Sequence, residues 1–435
     1  MQTNRITAIT NARIFDGERV IDAQTVVISG ASISTIGGAV PSGAAVVNAG
    51  GATLIPGLID AHVHTSLDGL RDALAFGVTT ELEMQGHWTA QERQEVAERD
   101  DLADIRSAGM GITAPGGHPS ELFPKGEDPG DNAAHAPADD GHAHGFVAPF
   151  ASTPQEATDF VDQLVANGSD YIKIMIEEGS VLGSPGLPML DNETIVAAVR
   201  AAHRHHKLAI AHTLTFATTA QAIAAGMDGL AHLFLDRPHT PELIAAIAEV
   251  GAFVTPCLVL NSSILGNAST DFAADERVSS KLSPEWLITL RSCFNTFPQG
   301  NFADVLATVA ALHRAGVDIL AGTDVSVPVP SFGGLAHGAS VHHELQLLVA
   351  AGLSPIEALR AATSTPARRF GLSDRGRIVP GARADLLLVE GDPITNISDT
   401  LSIALSGGAG PHSTCRGRSS KPGKMLTKKE EKYND

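Results

Sequence analysis

The stretch LIPGLIDAHVHTSLDG, residues 54–69, runs apolar from Leu54 to Ile59 and then carries His62 and His64 two positions apart. Residues two apart in a β-strand project from the same face, so both imidazoles face the same way. Imidazole is a common metal ligand, and two on one face supply half of a metal site. Paired histidines also occur on ordinary surfaces, so this pair alone does not define a site. The stretch predicts a buried strand whose end carries the chemistry.

Downstream of this stretch the sequence predicts an α/β fold. From residue 56 short apolar strands alternate with Ala-rich helical segments, which is typical of βα repeats around a parallel sheet. Eight strand ends can be read: AHVHT, GVTTELEMQG, GMGITAPGGH, YIKIMIEEG, LAIAHTLT, GLAHLFLD, AFVTPCLVL and DILAGTDV. Eight such units predict a (β/α)8 TIM barrel over residues 56–370, with the active site at the carboxyl ends of the strands.

The flanking segments predict a second, smaller unit. Residues 1–55 contain short alternating strands closed by Gly or Asp turns, and residues 371–405 include RGRIVPGARADLLLVEGD, which has two more strand candidates. We expect these to join as a small β-sandwich domain that is discontinuous in sequence. Residues 124–145, rich in Gly, Pro, Asp and His, predict a long loop in the position of a lid. The basic residues 406–435 predict a disordered tail.

The composition excludes several kinds of partner. The 435 residues carry a formal charge of −19, which argues against binding to nucleic acid or to an anionic membrane. No apolar run is long enough to span a bilayer, and the N-terminus lacks the apolar core of a signal peptide. Cys257, Cys293 and Cys415 lie far apart, with no metal or disulfide spacing. We therefore expect a reduced, cytoplasmic protein that binds a small molecule; whether it forms a homo-oligomer stays open.

Other predicted strand ends supply polar side chains that match the histidine pair. They are Lys173 in YIKIMIEEG, His212 in LAIAHTLT, His232 in GLAHLFLD and Asp324 in DILAGTDV. Each has an ordinary explanation when taken alone, as a core histidine, a snorkelling lysine or a helix-capping aspartate. The order HxH, Lys, His, His, Asp on successive strand ends is much harder to obtain by chance.

Lys173 needs a separate explanation because an unpaired ammonium within an apolar alternation is costly. An ammonium has no lone pair and cannot bind a cation. If the free amine reacts with carbon dioxide, the resulting carbamate is an anion with two oxygens that can bridge two metal ions. A carbamate would explain both the burial of Lys173 and its position between the two histidine pairs.

With these motifs the chain resembles the amidohydrolase superfamily, in particular its binuclear branch with a carboxylated lysine. That branch includes imidazolonepropionase-like enzymes, Xaa-Pro or Xaa-Arg dipeptidases and ochratoxinase-like amidases. The resemblance spans about residues 5–400 and rests on LIPGLIDAHVH, YIKIMIEEGS, AHTLT, the GTD of LAGTDV and LSPIEALRAATSTPARRFGLSDRGRIVPGARADLLLVEGDP. These motifs are specific to the superfamily and not to a substrate.

The resemblance implies two divalent metal ions, with zinc the first choice. Six residues would hold them: His62, His64 and Asp324 one ion, His212 and His232 the other, and carboxylated Lys173 both. Such ions activate water, and Asp324 would take its proton and pass it to the leaving nitrogen.

The resulting prediction is an amidohydrolase that cleaves a C–N bond in an amide, dipeptide-like or N-acyl amino acid substrate. A lactone, ester, carbamate or phosphotriester stays an alternative, because activated water does not choose the electrophile. A non-catalytic assembly protein is a third alternative, and loss of ligands would mark it. A mononuclear deaminase is disfavoured, because it needs no lysine on the fourth strand.

Two further residues are candidates for substrate contacts. His118 follows the third predicted strand in TAPGGHPSE, and Tyr171 precedes Lys173 by two and can face the same way. For the remaining histidines we expect positions without a direct role in catalysis. We expect a solvated loop for His135, His142 and His144, a helix surface for His203, His205 and His206, and a supporting helix for His342 and His343.

Overall fold

The computed structural model describes residues 6–122 and 150–407 as a mixed α/β fold. Within these residues the strands are β1 Ile6–Thr10, β2 Arg13–Phe15, β3 Val20–Ile21, β4 Val26–Ser29, β5 Ser32–Ile36, β6 Ala45–Asn48, β7 Thr53–Pro56, β8 Leu58–Val63, β9 Val78–Glu83, β10 Asp104–Ser107, β11 Ile172–Met175, β12 Ala209–His212, β13 Gly229–Ala231, β14 Phe253–Thr255, β15 Leu386–Val389 and β16 Ile403–Gly407. The helices are α1 Leu67–Ala75, α2 Ala90–Ala97, α3 Pro154–Ala166, α4 Asn192–Arg204, α5 Phe216–Ala224, α6 Pro241–Val250, α7 Leu258–Ile264, α8 Thr270–Ala274, α9 Glu276–Ser279, α10 Pro284–Leu290, α11 Phe302–Arg314, α12 Ala339–Ala350, α13 Pro355–Ala361 and α14 Ser364–Arg369.

Strands from both ends of the described chain form two sheets. One has the order β5-β4-β1-β6 and the other β16-β15-β7-β2-β3. β15 pairs antiparallel with β7, with Leu387 opposite Ile55, so the C-terminal segment lies beside the N-terminal strands. Of the two strand candidates in RGRIVPGARADLLLVEGD, only the second forms a strand, β15. The first, RGRIVPG, contacts the N-terminal segment through the amide of Ile378, which donates to the carbonyl of Asp16. Apolar side chains of both sheets share one hydrophobic cluster.

The remaining strands form two parallel sheets, β10-β9-β8 and β11-β12-β13-β14. Isolated parallel bridges join them: Ile112 pairs with Ile174, Val254 with Ile319, and Val63 with Val325. The segment 319–325 therefore neighbours β14 at its start and β8 at its end. The polar residues that follow these strands consequently meet on one side of the sheets.

Helices follow the strands wherever the apolar spacing and the caps agree. In α4 the side chain of Asp191 accepts the amide of Thr194 at 2.7 Å, which satisfies one of the free donors at the helix start. Ile195, Ala198 and Ala202 are buried at intervals of three and four residues, so one face packs inward. The apolar spacing in DNETIVAAVRAAHRHH, residues 191–206, is therefore that of a helix with one buried face.

The third predicted strand is displaced in the structure. β10 occupies Asp104–Ser107, before the GMGITAPGGH stretch that the sequence indicated, and Ile112 and Thr113 make only isolated bridges. Gly109 adopts φ +69°, a left-handed conformation that interrupts an extended chain, which explains the break. The apolar pattern of the sequence does not reveal β10, because its first residue, Asp104, is a charged residue that is nevertheless buried.

Two expectations fall on parts of the chain outside the described residues. The predicted loop 124–145, with His135, His142 and His144, lies between the two described ranges, and residues 408–435 of the predicted tail lie beyond the second. Of the helices that are described, none combines the length and the apolar character needed to cross a membrane.

Candidate metal centre

His62, His64 and Asp324 converge at the end of β8. The Nε2 atoms of His62 and His64 each lie 2.9 Å from Oδ1 of Asp324. Neither contact has hydrogen-bond geometry. This oxygen is therefore buried without a hydrogen-bond partner among the described residues. Two nitrogen atoms and one oxygen thus approach one another without sharing a proton in the usual way. Lone pairs that converge on a cation have this arrangement.

The GTD segment is held tightly against β8. The amide of Asp324 donates to the carbonyl of His62 at 2.7 Å, and Asp324 has φ +61°. Gly322 allows this approach, because a Cβ there would lie 2.4 Å from Cγ2 of Thr255 and 2.9 Å from the amide nitrogen of His62. The glycine and the strained aspartate together bring the carboxylate to the histidine pair.

His212 and His232 complete the cluster from neighbouring strands. His212 is the last residue of β12, and His232 directly follows β13 with φ +72°. The His232 ring lies 4.7 Å from the His62 ring and 4.7 Å from the His212 ring, centroid to centroid. Its Nε2 is 4.0 Å from Oδ2 of Asp324. The two histidine pairs predicted from the sequence are therefore brought together around Asp324.

Lys173 is buried in the same region, with 1% of its surface exposed. Burial lowers the pKa of its amine to about 8. Its charge helps to lower the pKa of His62 and of His212, after the larger effect of burial on each ring, so the amine belongs to the cluster. Nζ has no hydrogen-bond partner among the described residues. A buried amine without a hydrogen-bond partner destabilises the folded state unless another group binds its lone pair or accepts its proton.

The electrostatics of the cluster suit a cation. Burial, followed by neighbouring positive charge, lowers the pKa of His62 to about 3, so its ring is neutral and offers lone pairs. Burial alone would lower the pKa of His64, but the carboxylates of Asp324 and Glu83 raise it to about 10. Burial would likewise raise the pKa of Asp324, yet the neighbouring His62 and His232 hold it well below its usual range. The centre therefore combines neutral imidazoles at His62, His212 and His232 with an ionised carboxylate, and the raised pKa of His64 shows that the carboxylates around it favour added positive charge.

Several buried polar atoms of the cluster lack a hydrogen-bond partner within the described chain. They are His62 Nδ1, Lys173 Nζ, His212 Nε2, His232 Nδ1 and Asp324 Oδ1. Buried polar groups in folded proteins are nearly always partnered, so a concentration of exceptions indicates a missing ligand. Two groups have ligand atoms that all lie within 4.8 Å of one another, and either could hold a metal ion: His62, His64 and Asp324, and His62, His232 and Cys257.

Of the two predicted substrate contacts, only His118 lies at the cluster. Its ring stacks on that of His212 at 4.4 Å, and its Nδ1 is 2.6 Å from Oε1 of Glu121. Tyr171 is instead a core residue. Its hydroxyl donates to the backbone carbonyls of Glu83 and Arg106, each at 2.9 Å, which leaves no free proton for a substrate.

Tyr171 also lines a cavity of about 370 Å³ with Arg106, Asp170 and Phe370. This cavity lies on the amino-terminal side of β11, away from His212 at the end of β12. It is therefore separate from the candidate metal centre.

Two glutamates near the cluster escaped the sequence analysis. Glu83 is fully buried at the end of β9, with Oε1 3.7 Å from Nδ1 of His64, and Ser107 donates to its other oxygen. Glu177, four residues after Lys173, has Oε2 3.4 Å from Nε2 of His212. A signal was present, because Glu83 ends the predicted strand GVTTELEMQG and Glu177 follows the strand of Lys173.

The other histidines have structural partners. His203 and His205 are exposed and contact Asp228 and Asp162, respectively, in agreement with a helix surface. His342 is buried and contacts the hydroxyl of Thr400 and the carbonyl of Phe76, so it supports the packing of α12.

Comparisons with known proteins are consistent with this geometry. A family model described as the Amidohydrolase family matches residues 53–406. The adenine deaminase of Methanoregula boonei is 49% identical over 59 residues, which is 14% of this chain and 10% of the relative. The imidazolonepropionase of Cereibacter sphaeroides is 40% identical over 90 residues, 21% of this chain and 22% of the relative. The chain thus matches less than a quarter of the length of these relatives.

A solved structure shares the fold over almost the whole chain. A Xaa-Pro dipeptidase with methionine bound in its active site is similar at a TM-score of 0.68, with 22% identity, over 95% of this chain and 100% of that chain. At this level of identity the likeness concerns the fold.

Proposed function

Because this chain belongs to the amidohydrolase family, we propose that it is a metal-dependent hydrolase of a carbon–nitrogen bond in an amide, dipeptide-like or N-acyl amino acid substrate. The observation that carries the proposal is the approach of Asp324 Oδ1 to the Nε2 atoms of His62 and His64 at 2.9 Å without hydrogen bonding. Dipeptides come first among the substrates to be tested, because a Xaa-Pro dipeptidase is one of the solved structures with this fold.

The proposed ligand sets follow from these contacts. His62, His64 and Asp324 would hold one divalent cation. That cation would accept the lone pairs that converge between these three side chains. His212 and His232 would hold the second cation, with Lys173 shared between the two. We propose zinc for both, because imidazole and carboxylate ligands on rigid strand ends suit it. Bound zinc would activate water and polarise the scissile carbonyl.

Lys173 takes part in this proposal as a carbamate. Its neutral amine would attack carbon dioxide, form one N–C bond and release one proton, leaving an anion with two oxygens. The support is the burial of Nζ without a partner and a pKa lowered to about 8, which raises the fraction of neutral amine.

Asp324 is the proposed proton carrier. Its depressed pKa keeps the carboxylate ionised, so it can accept a proton from the attacking water as the C–O bond forms. It would then donate that proton to the nitrogen as the C–N bond breaks. His118, stacked on His212 and fixed by Glu121, is the proposed contact for the substrate carbonyl. Tyr171 has no part in the proposed substrate contacts.

We further propose the architecture that the sequence predicts. The bridges at Ile112, Ile319 and Val325 support a (β/α)8 barrel over residues 56–370 that closes through the segment 319–325. The pairing of β15 with β7 supports a small β domain built from residues 1–55 and 371–405.

The test combines metal analysis with a hydrolysis screen on the purified full chain. We expect two equivalents of zinc and turnover of dipeptides, N-acyl amino acids or aryl amides, abolished by chelation and restored by zinc. Adenine, carbamates and lactones belong in the screen as competing substrates. Turnover of lactones or phosphotriesters alone would overturn the choice of bond, and a chain that binds no metal would overturn the mechanism.

A further inference from the structure

Cys257 lies beside the candidate metal centre, although it belongs to neither of the two ligand sets under Proposed function. It lies two residues after the end of β14, directly after Pro256, and its side chain is fully buried. Its ligand atom is within 4.8 Å of those of His62 and His232, which are themselves within that distance of each other. The thiol is free, and the contact of Sγ with the carbonyl of Thr255 is 3.6 Å long.

The backbone of Cys257 matches that of two proposed ligands. His232, Cys257 and Asp324 adopt φ +72°, +50° and +61°, and each follows or ends one of three adjacent strand segments, β13, β14 and 319–325. A left-handed conformation is unfavourable for a residue with a Cβ, and such strain collects at functional sites. The turn that brings His232 and Asp324 to the centre is therefore repeated at Cys257.

This conformation is fixed by groups outside the centre. The carboxylate of Glu344, fully buried on α12, accepts the amides of Leu258 and Val259, each at 2.9 Å. The side chain of Asn261 donates to the carbonyl of Pro256 at 3.0 Å. The residues on both sides of Cys257 are thus held in place, so the position of its sulfur is predetermined.

A second observation points to a ligand at this position. Nδ1 of His62 and Nδ1 of His232 are buried and have no hydrogen-bond partner among the described residues, and both side chains are 1% exposed. Each neutral imidazole ring offers one lone-pair nitrogen, and with Sγ of Cys257 the two rings supply three ligand atoms within 4.8 Å of one another. A divalent cation is the species that satisfies all three.

We propose that Cys257 is a thiolate ligand of this centre, within reach of His62 in one proposed ligand set and of His232 in the other. The proposal rests on the proposed function, because it concerns the same metal ions. Binding would break the S–H bond, form an S–metal bond and release one proton to solvent, with no change of oxidation state. A sulfur donor would make the centre prefer zinc or cobalt to magnesium, calcium or manganese.

The experiment uses X-ray absorption at the zinc edge and near-ultraviolet absorption of the cobalt-loaded full chain. Wild type should show a sulfur neighbour at about 2.3 Å from zinc, beyond nitrogen and oxygen at about 2.0–2.2 Å. It should also show a thiolate-to-cobalt charge-transfer band. Both signals should disappear in Cys257→Ser. They should persist in the matched double variant Cys293→Ser/Cys415→Ser, whose only remaining cysteine is Cys257.

The outcomes separate this inference from the proposed function. Zinc bound through nitrogen and oxygen alone in wild type would overturn the role of Cys257 and leave the metal centre standing. A chain that binds neither zinc nor cobalt would overturn both. If Cys257→Ser fails to fold, the double variant decides: a charge-transfer band there supports the thiolate, because methionine sulfur gives none, and its absence in the cobalt-loaded protein refutes it.

Discussion

The candidate metal centre and a second buried polar cluster lie toward opposite ends of β9 and β10. The second, called here the Arg375 cluster, consists of Arg375, Thr80, Asp104 and Asp374. The guanidinium donates to Thr80 at 3.1 Å, to Asp104, and to both oxygens of Asp374 at 2.9 and 3.0 Å. Burial would weaken both charges, but ionic pairing raises the pKa of Arg375 and lowers that of Asp104.

The two clusters teach how a structural polar site differs from a binding site. In the Arg375 cluster opposite charges pair and every nitrogen of the guanidinium has an acceptor, so it can lock the chain after α14 against β9 and β10. In the candidate metal centre the contacts are equally short, yet Oδ1 of Asp324 faces two imidazole nitrogens without a hydrogen bond, and Nζ of Lys173 has no partner among the described residues. Burial alone therefore does not separate the two kinds of site; hydrogen-bond completeness does.

The largest expected effect is on catalysis in Asp324→Asn. The amide keeps the size of the side chain but cannot carry a proton between water and the leaving nitrogen. We expect kcat/KM to fall by about 10²–10⁴-fold, the usual contribution of a positioned acid–base group. The measurement is steady-state hydrolysis of the best substrate from the screen, with metal content determined alongside. Asp162→Asn, on the surface beside His205, is the control and should keep full activity; wild-type turnover in Asp324→Asn would refute its role.

In the Arg375 cluster the largest effect is on stability, in Arg375→Met. The variant leaves Asp104 as a buried carboxylate without its main counter-charge, which typically costs about 3–5 kcal/mol in free energy of unfolding. Denaturant unfolding of the metal-free protein measures it. Turnover per folded molecule should not change, because the cluster does not touch the metal centre. A loss of activity without a loss of stability would contradict the division between the two clusters.

Metal removal should act on the first cluster alone. A ligand that binds only the folded state at a free concentration 100 times its Kd stabilises that state by about 2.7 kcal/mol, so chelation should lower the melting temperature and zinc should restore it. His64→Ala should reduce this zinc response, whereas Arg375→Met should retain it from a lower starting temperature. Equal melting curves with and without zinc in wild type would argue that the unpartnered atoms do not mark a metal site.

The sequence could indicate that these polar side chains meet, because the position of each one is local to its own strand. His62, Lys173, His212 and Asp324 each lie at or near the end of an apolar run, and parallel strands bring such residues to one edge. Tyr171 shows the limit of the same argument, since the alternation along a strand gives the face of a side chain but not its depth. Spacing along the sequence does not mark Cys257 as a ligand, because spacing identifies ligands that are close in sequence, whereas this cluster takes about one residue from each strand.

The Arg375 cluster could not be predicted, for a different reason. Asp104 and Arg375 are separated by 271 positions, and Asp104 lies in none of the motifs that carry the resemblance. In LADIRS the aspartate is a polar residue that hides the start of β10, because its burial is compensated only by a partner far along the chain. Pairings of this kind depend on the assembled fold and leave no periodic signal.

Acid should affect the Arg375 cluster through Asp104. Because the folded pKa of this carboxyl is lowered, its contribution to stability is complete above the unfolded value, about 3.9, and is lost as the pH falls through the folded value. The effect should be smaller than that of Arg375→Met, since protonation keeps the shape of the side chain. Unfolding between neutral pH and about pH 3 should show a shallower decline in Asp104→Asn than in wild type. Parallel curves would mean that Asp104 does not titrate abnormally.

The smallest expected effect is that of Arg377→Met, two residues from Arg375. Arg377 is about half exposed, and its guanidinium reaches Oδ2 of Asp16 at 3.4 Å. Exposed ion pairs are screened by water and typically contribute about 0–1 kcal/mol. The variant should therefore unfold within about 1 kcal/mol of wild type under the conditions used for Arg375→Met. If both substitutions cost the same, the stability assigned to the filled hydrogen bonds of Arg375 would instead come from the packing of its aliphatic stem, which a methionine largely preserves.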